Sequence, residues 1–401
     1  MPDVSFFGLT VVAAVAFGAP LLLGLFPKIR IPAVVLEILL GIATGPSGLG
    51  WVRFDLPIQI LSVVGLAFLL FLAGLEVEVD RLRGRLLRLP GMGFVLSLAL
   101  GLGVGLAMKA AGQVRSPLLI GITLVATSLG LVVPVLKDAG EASTDFGQLV
   151  IAGGTVADFG AVIFLTLFFS GQASGVGAKL LLLGIFVLTV AAVGASVARA
   201  GRSMRISAVV LRLQDTTAQI RVRGAVLLLI AFVALAGRFG LETILGAFLA
   251  GVVLGMVDRD PMMTHPHFRT KLEGIGYGFL IPVFFVSSCI TFDLHALFSS
   301  PSTIVRTPLF LVALLAVRGI PALLYRPLVG DRRTLAAGLL QATSLPFIVV
   351  ATRLGVTLGL VSAANAAALV ASGLLSVVIF PLAALGLLTR ASRKVNAEPV
   401  T

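Results

Sequence analysis

Apolar runs long enough to cross a lipid bilayer follow one another along almost the whole chain, and this restricts the fold more than any other feature. A transmembrane helix needs about 20 consecutive apolar residues, and about 13 runs of suitable length and composition are present. Of the 401 residues, 58% are hydrophobic and 12% are charged, which no water-soluble domain tolerates. The sequence therefore predicts an all-α polytopic membrane protein, with spans at roughly 5–26, 32–50, 57–76, 91–112, 116–136, 147–170, 178–198, 222–239, 241–257, 274–292, 303–325, 334–353 and 359–388.

The basic residues predict how the chain is oriented. If the N-terminus lies outside the cell, the inner loops receive the Lys and Arg residues in an excess of about three to one, as the positive-inside rule requires. This favours a multi-pass protein of the plasma membrane with its N-terminus outside and its C-terminus in the cytoplasm. The net charge of +12 does not indicate nucleic-acid binding, because the basic residues lie in short loops. The single Cys289 excludes an internal disulfide.

One carboxylate lies in the middle of a predicted span. Asp158 interrupts the stretch LVIAGGTVADFGAVIFLTLFF at 149–169, which is otherwise apolar or small. A charge at the bilayer centre costs roughly 2.5–3.5 kcal/mol on insertion scales, so an acid there is a functional candidate. The alternative is a structural Asp that hydrogen-bonds a neighbouring helix, although Ser or Asn would do this without a charge to bury. Asp158 is therefore the first candidate site residue.

Two further ionisable residues fall inside predicted spans. Glu37 lies in the second run, IPAVVLEILLGIATGPSGLG, about two turns from the inner end. This position favours packing or gating over ion binding, so Glu37 is an accessory candidate. Arg318 lies deep within LFLVALLAVRGIPALLY. Because arginine does not readily lose its proton, Arg318 is expected to be a fixed counter-charge.

A short repeat marks two predicted spans that are expected to be broken. The sequence ATSL contains Thr127 and Ser128 in the fifth span, and it reappears with Thr343 and Ser344 in the twelfth span, each time near a proline. Under the predicted topology the two spans cross the membrane in opposite directions. Paired broken helices in an inverted repeat are typical of secondary transporters, whose sites lie near the bilayer midplane. Asp158 follows the first broken span and Arg318 precedes the second.

Several stretches together resemble the monovalent cation:proton antiporters, on the branch of the Nap/Ger sodium antiporters and the Kef membrane domain. They are IPAVVLEILLGIATGPSGLG, FLLFLAGLEVEVDRLR, LVATSLGLVVPVLKDAG, VADFGAVI, LGAFLAGVVLG and FLIPVFFVSSCITFDL, between about residues 20 and 380. The resemblance implies an NhaA-like fold of one transmembrane domain that forms a homodimer. Its moving core is expected at about 91–170 and 303–388, its scaffold at about 1–76 and 222–292, and an inner-surface linker at about 199–223.

The resemblance also implies roles for individual residues. Asp158 matches the aspartate that binds the cation or the proton, Thr127 and Ser128 match the first crossover, and Arg318 matches a core Lys or Arg. Ala157 departs from the family, because electrogenic members carry a second Asp at this position and many electroneutral members carry an Asn. The chain ends at Thr401, so the nucleotide-sensing domain of the Kef systems is expected to be absent, and no cytosolic regulatory domain is predicted.

These residues predict one exchange chemistry. A single carboxylate can hold a proton or a metal cation in turn, and oxygen atoms of Thr127, Ser128 and Thr155 are expected to complete a site for Na⁺ or K⁺. Without a charge at position 157, one proton is expected per cation, so that exchange is electroneutral. No resident metal or cofactor is expected.

Other classes of protein fit the sequence less well. A potassium-type filter such as TVGYG is absent, which disfavours a channel. The HExxH motif of zinc proteases is absent too, because the only histidines are His265, His267 and His295, so the chain is not expected to be an enzyme. A membrane sensor that does not transport remains an alternative, and the sequence leaves the choice among Na⁺, K⁺ and Li⁺ open.

Overall fold

A computed structural model describes residues 6–26, 33–76, 85–142, 144–169, 176–201, 209, 212–213, 216–241, 243–258, 267–290, 298 and 301–395. Every regular element in these ranges is helical, so the predicted all-α class is confirmed. The predicted linker at about 199–223 is described only in part, and His265 and His295 lie outside the described residues.

Sixteen α-helices are numbered here in chain order within the described residues. They are α1 Phe6–Leu25, α2 Ala33–Thr44, α3 Leu56–Leu75, α4 Arg85–Ala110, α5 Pro117–Val125, α6 Leu129–Asp138, α7 Asp145–Phe169, α8 Val176–Gly201, α9 Ile220–Arg238, α10 Thr243–Asp258, α11 Phe268–Ile275, α12 Ile281–Ile290, α13 Pro301–Gly319, α14 Arg326–Gln341, α15 Pro346–Thr357 and α16 Ala363–Val395. A π-helical turn at Gly276–Leu280 joins α11 to α12, and a 3-10 turn at Pro321–Tyr325 joins α13 to α14.

Eight helical stretches among the described residues are long and apolar enough to cross a membrane. One of them, Ile304–Thr357, is 54 residues long and includes most of α13 and all of α14 and α15. Four shorter apolar helices are Ala33–Thr44, Pro117–Val133, Leu180–Ser196 and Thr243–Val257. The chain is thus a multi-pass membrane protein, and the count of 13 spans stays a prediction.

The chain divides into two compact units. The scaffold-side unit, as we name it here, comprises Met1–Leu22, Glu37–Val79 and Val162–Ile290, and the crossover unit comprises Leu23–Leu36, Asp80–Ala161 and Thr291–Thr401. The division passes through α7, between Ala161 and Val162. That one unit moves and the other forms a dimer stays a prediction.

In the scaffold-side unit, α2 lies directly on the backbone of α12. A Cβ atom at Gly41 would come within 2.4 Å of the carbonyl oxygen of Val286, and one at Gly45 within 2.5 Å of that of Ile290. Small residues four apart allow two helix backbones to approach this closely. The motif Gly41-x-x-x-Gly45 therefore fixes how α2 packs, and larger residues would separate the helices.

In the crossover unit, two helices are interrupted at their centres. Helix α5 begins with the N-cap Ser116 and Pro117, which favour a helix start, and it ends at Val125. Residues 126–128 are not helical, and Ala126 is extended at φ −66° and ψ 148°. Helix α14 ends at Gln341, and α15 begins at Pro346 after a second non-helical stretch. Both interruptions fall on the repeated ATSL sequence.

Candidate ion-binding site

The two interruptions lie against each other and are joined by the main chain. The backbone N–H of Ser128 donates to the carbonyl of Thr343 over 2.8 Å. The hydroxyl of Thr127 donates to the carbonyl of Gln341, the last residue of α14, over 2.7 Å. Non-helical backbone at membrane depth needs partners from within the protein, and each crossover supplies partners to the other. We call residues 126–128 the first crossover and residues 342–345 the second crossover.

Asp158, on α7, holds the first crossover. Its Oδ1 accepts a hydrogen bond from the N–H of Thr127 at 2.9 Å, and its Oδ2 accepts a longer one from the N–H of Leu129 at 3.5 Å. Leu129 is the first residue of α6, so the carboxylate lies at a helix N-terminus, where negative charge is stabilised. Asp158 is only partly buried, whereas its neighbour Ala157 is 0% exposed. The carboxylate is therefore fixed in place on a residue that is not fully buried.

Arg318, near the end of α13, is buried with 1% exposure and donates to three neutral oxygens. Its Nε reaches the hydroxyl of Thr127 at 3.0 Å, its Nη1 that of Ser97 at 3.1 Å, and its Nη2 the carbonyl of Gly153 at 3.2 Å. Among the described residues, no ion pair joins Arg318 to Asp158. The two opposite charges are linked instead through Thr127, which the arginine contacts at the side chain and the carboxylate at the backbone.

The predicted oxygen ligands differ in how much binding capacity they retain. The hydroxyl of Thr127 donates to Gln341 and accepts from Arg318, so it is engaged on both sides. The hydroxyl of Thr155, one turn before Asp158 on α7, donates to the carbonyl of Ile151 at 2.9 Å and keeps its lone pairs. The hydroxyl of Ser128 makes no hydrogen bond within the described part of the chain. Ser128 and Thr155 thus retain more capacity for a cation than Thr127.

The second crossover is capped by a neutral group. The N–H of Ser344 donates to the hydroxyl of Ser376 on α16 at 3.2 Å. The proton of that hydroxyl is shared between the carbonyl of Gly373 at 2.7 Å and that of Ser344 at 3.1 Å. Among the described residues, the hydroxyl of Thr343 bonds only to the carbonyl of Leu339, one turn earlier, at 3.2 Å. The buried hydroxyl of Ser344 has no hydrogen-bond partner within the same part of the chain.

Four residues of this network were not predicted from the sequence. Ser97 and Gly153 bind Arg318, while the amide of Gln341 donates to the hydroxyl of Tyr325 at 3.0 Å. A Cβ atom at Gly153 would lie 2.3 Å from Nε2 of Gln341 and 2.8 Å from Oη of Tyr325, so a larger residue would displace the hydrogen-bonded ends of these two side chains. Gln341 is a polar residue that directly precedes ATSL in an apolar run, so the sequence could have indicated it. No comparable sequence feature marks Ser97.

Glu37 belongs to the scaffold-side unit, not to the unit that contains the two crossovers. It lies on α2, one turn before Gly41, and it is 4% exposed. Its accessory role stays a prediction.

Comparison with known proteins supports an ion-coupled membrane transporter as the class. The structure of the sodium proton antiporter MjNhaP1 from Methanocaldococcus jannaschii, at pH 8, is similar with a TM-score of 0.64 and 16% identity, over 97% of this chain and 98% of that one. This likeness shows the fold. The family described as "Sodium/hydrogen exchanger, transmembrane" matches residues 13–388. The chain belongs to the sodium/hydrogen exchanger family.

Two curated relatives extend this comparison. YjbQ of Bacillus subtilis (strain 168) is 32% identical over 401 residues, which cover 95% of this chain and 63% of YjbQ. The Na⁺/H⁺-K⁺ antiporter GerN of Bacillus cereus is 28% identical over 272 residues, which cover 65% of this chain and 66% of GerN. The chain therefore spans somewhat less than two thirds of the length of YjbQ.

Proposed function

We propose that the chain is a secondary antiporter that exchanges a monovalent cation for protons at Asp158. The observation that carries this proposal is the position of the carboxylate. It belongs to a partly buried residue in a predicted span, and it accepts hydrogen bonds from Thr127 and Leu129 at a helix break. A proton or a cation neutralises the carboxylate, and the two compete for it. Family membership and the names of relatives such as GerN support this activity.

Na⁺ is the proposed cation, with K⁺ as the alternative. Alkali cations are hard and are bound by oxygen atoms, as the harder cations of proteins are. Asp158 supplies the charge, and the hydroxyl oxygens of Ser128 and Thr155 supply neutral ligands. Thr127 contributes mainly by holding the first crossover between Gln341 and Arg318. GerN is named for both Na⁺ and K⁺, so selectivity requires measurement.

Exchange is proposed to be electroneutral, with one proton for each cation. Asp158 is the only carboxylate that hydrogen-bonds the first crossover among the described residues. Ala157 is fully buried beside it and cannot carry charge. Arg318 keeps its proton throughout, because guanidinium does not readily ionise, and it balances the carboxylate without moving charge.

The proposed transport cycle is of the elevator type. Both crossovers and Asp158 belong to the crossover unit, which would carry the ion as one body while the scaffold-side unit stays in place. We propose further that the protein is a homodimer in the plasma membrane, with the N-terminus outside and the C-terminus in the cytoplasm. The charge bias of the loops supports this orientation.

Proton flux in proteoliposomes tests the function. Vesicles that hold wild type or Asp158→Asn receive a pH gradient and then Na⁺, K⁺ or Li⁺ in turn, while a pH dye reports the interior, with and without a clamp on the membrane potential. The expected result is that Na⁺ dissipates the gradient in wild type only, at a rate that the clamp does not change.

The other outcomes separate the alternatives. Full proton-coupled exchange by Asp158→Asn would remove Asp158 from the mechanism. A rate that depends on the clamp would contradict electroneutrality. Cation flux without any proton movement would indicate a channel, and folded protein that moves neither ion would favour the sensor.

A further inference from the structure

A buried carboxylate lies in the scaffold-side unit, and the exchange mechanism does not use it. Glu37 is 4% exposed on α2, a helix that is otherwise apolar or small. Among the described residues, no side chain forms a hydrogen bond or an ion pair with it. An ionised carboxylate without a partner is costly to bury, and such a group is neutralised instead. Glu37 therefore requires a proton where it lies.

The helices around Glu37 offer it no counter-charge. Helices α1, α3 and α12 share an apolar cluster with α2. Within these four helices the only other titratable side chain is that of Cys289, on α12. Asp55 and Glu76 flank the two ends of α3, and Tyr277, which is 45% exposed, lies in the π-helical turn before α12. None of these groups is a cation that could stabilise ionised Glu37.

The packing of α2 on α12 shows where the carboxyl group of Glu37 extends. The close contacts at Gly41 and Gly45 advance along the two helices in the same direction. Val286, opposite Gly41, is four residues after Pro282. Glu37 is four residues before Gly41, so the shared register places Glu37 level with Pro282. Because side chains of an α-helix lean towards its N-terminus, the carboxyl group extends towards the turn that precedes Pro282.

The turn before Pro282 is short of a hydrogen-bond donor. It is π-helical at Gly276–Leu280, and the N–H of Ile281 donates to the carbonyl of Gly276. Proline has no N–H to continue this pattern, so the helix supplies one donor too few for the carbonyls of this turn. A protonated carboxyl group carries one O–H donor, which an ionised carboxylate lacks. The proton that Glu37 requires would thus also supply the missing donor.

We propose that Glu37 is a second proton-binding residue, which holds α2 on α12. Its protonated carboxyl group donates to a main-chain carbonyl of the π-helical turn. Loss of the proton to solvent breaks this bond and leaves a negative charge in an apolar contact. The contact between α2 and α12 is therefore firm at low pH and loosens as the pH rises. This proton is held and is not exchanged for a cation, so the role is separate from the chemistry at Asp158.

The only cysteine of the chain reports on this contact. Cys289 lies on α12 between Val286 and Ile290 and is 2% exposed, so N-ethylmaleimide reaches its thiol only when the packing opens locally. The purified full chain in detergent micelles is labelled from about pH 5 to about pH 9, a range in which buried carboxyl groups titrate. Each rate is divided by that of Glu37→Gln at the same pH, which removes the ionisation of the thiol itself. The neutral amide of this variant still donates a hydrogen bond at every pH.

The proposal predicts a labelling ratio that depends on pH. We expect wild type to react as fast as Glu37→Gln at low pH and at least about tenfold faster at high pH, because a buried hydrogen bond is lost. Glu37→Met cannot donate, so it should react about tenfold faster than Glu37→Gln at every pH. Glu273→Gln is the matched control, because it removes a carboxylate from α11 in the same unit and should keep the wild-type pH dependence.

Replacing the proline tests the acceptor. Pro282→Ala restores an N–H to the helix, so in this background Glu37→Met and Glu37→Gln should react at equal rates. A tenfold difference that persists with Pro282→Ala would contradict the hydrogen bond. A wild-type rate equal to that of Glu37→Gln over the whole pH range would overturn the proposal, and loss of the pH dependence in Glu273→Gln would assign the proton to Glu273 instead.

Discussion

The first crossover is held by the carboxylate of Asp158 and the second by the hydroxyl of Ser376. The two capping residues occupy similar places, since Asp158 lies 31 residues after Thr127 and Ser376 lies 32 residues after Ser344. Both accept a backbone N–H from the crossover. Only the carboxylate can change its charge, however, so under the proposed function the proton and the cation bind at the first crossover. The two crossovers thus share the way in which their backbone is capped, and they differ in the charge of the capping group.

The largest expected effect comes from moving the carboxylate between the two positions. Asp158→Ser should reduce cation-driven proton flux to that of empty vesicles, because a hydroxyl holds the backbone but binds no exchangeable proton. Adding Ser376→Asp should not restore flux, since Arg318 and Thr127 remain at the first crossover. Restored flux in the double variant would show that the two crossovers are interchangeable. Ser376→Ala is the control and should keep exchange, at a cost of about 1 kcal/mol in unfolding free energy.

The next effect concerns the buried charge. Arg318→Gln removes three charge-assisted hydrogen bonds, and we expect it to lower the free energy of unfolding by about 3 kcal/mol. Chemical unfolding in detergent micelles measures this loss. Arg238→Gln, whose side chain is exposed, should change it by less than about 0.5 kcal/mol. Equal stability of the two variants would contradict the assigned network.

The threonines of the two crossovers form a matched pair. Thr127→Val removes a hydroxyl that joins Arg318 to Gln341, so we expect a loss of about 2 kcal/mol in unfolding free energy. Thr343→Val removes only a bond to Leu339 within one helix turn, and about 0.5 kcal/mol is expected. Equal losses of unfolding free energy in the two variants would mean that the hydroxyl of Thr127 does not join Arg318 on α13 to Gln341 on α14.

Two glycines give the smallest expected difference. A methyl group at Gly153 would overlap Gln341 and Tyr325, whereas one at Gly373 would lie 3.0 Å from the nearest atom, the carbonyl oxygen of Ser344. Gly153→Ala should therefore lower the unfolding free energy by about 1–2 kcal/mol. Gly373→Ala should be close to neutral, because alanine gains up to about 1 kcal/mol of helix propensity. Thermal unfolding midpoints in one detergent compare the two variants. A larger fall in the midpoint for Gly373→Ala than for Gly153→Ala would contradict the close packing of Gly153 against Gln341 and Tyr325.

The parts of this arrangement that the sequence could predict are those with a local signal. The helical class follows from the apolar runs, and Asp158 and Arg318 stand out because a charge in such a run is rare. The breaks at the two ATSL sequences were predicted from hydroxyls beside a proline. These features depend on residues close together in the chain.

The remaining features depend on distant partners. The hydroxyl of Thr127 donates to the carbonyl of Gln341, which is 214 residues away in the sequence. Arg318 donates to the hydroxyl of Ser97, at a separation of 221 residues. A serine in an apolar helix is too common to identify as a partner of an arginine. The sequence also gave no means of ranking Thr127, Ser128 and Thr155 as ligands, because their remaining hydrogen-bonding capacity is set by tertiary contacts.

The bond from the N–H of Ser128 to the carbonyl of Thr343 joins the two crossovers through peptide groups alone. Every residue except proline provides such an N–H, so this junction does not depend on which side chains occupy the crossovers. Each half of the repeat can therefore acquire new side chains, such as a carboxylate in one and a serine in the other, without losing its attachment to its counterpart. The junction permits the two halves to diverge in chemistry, and it leaves no trace in the amino-acid sequence.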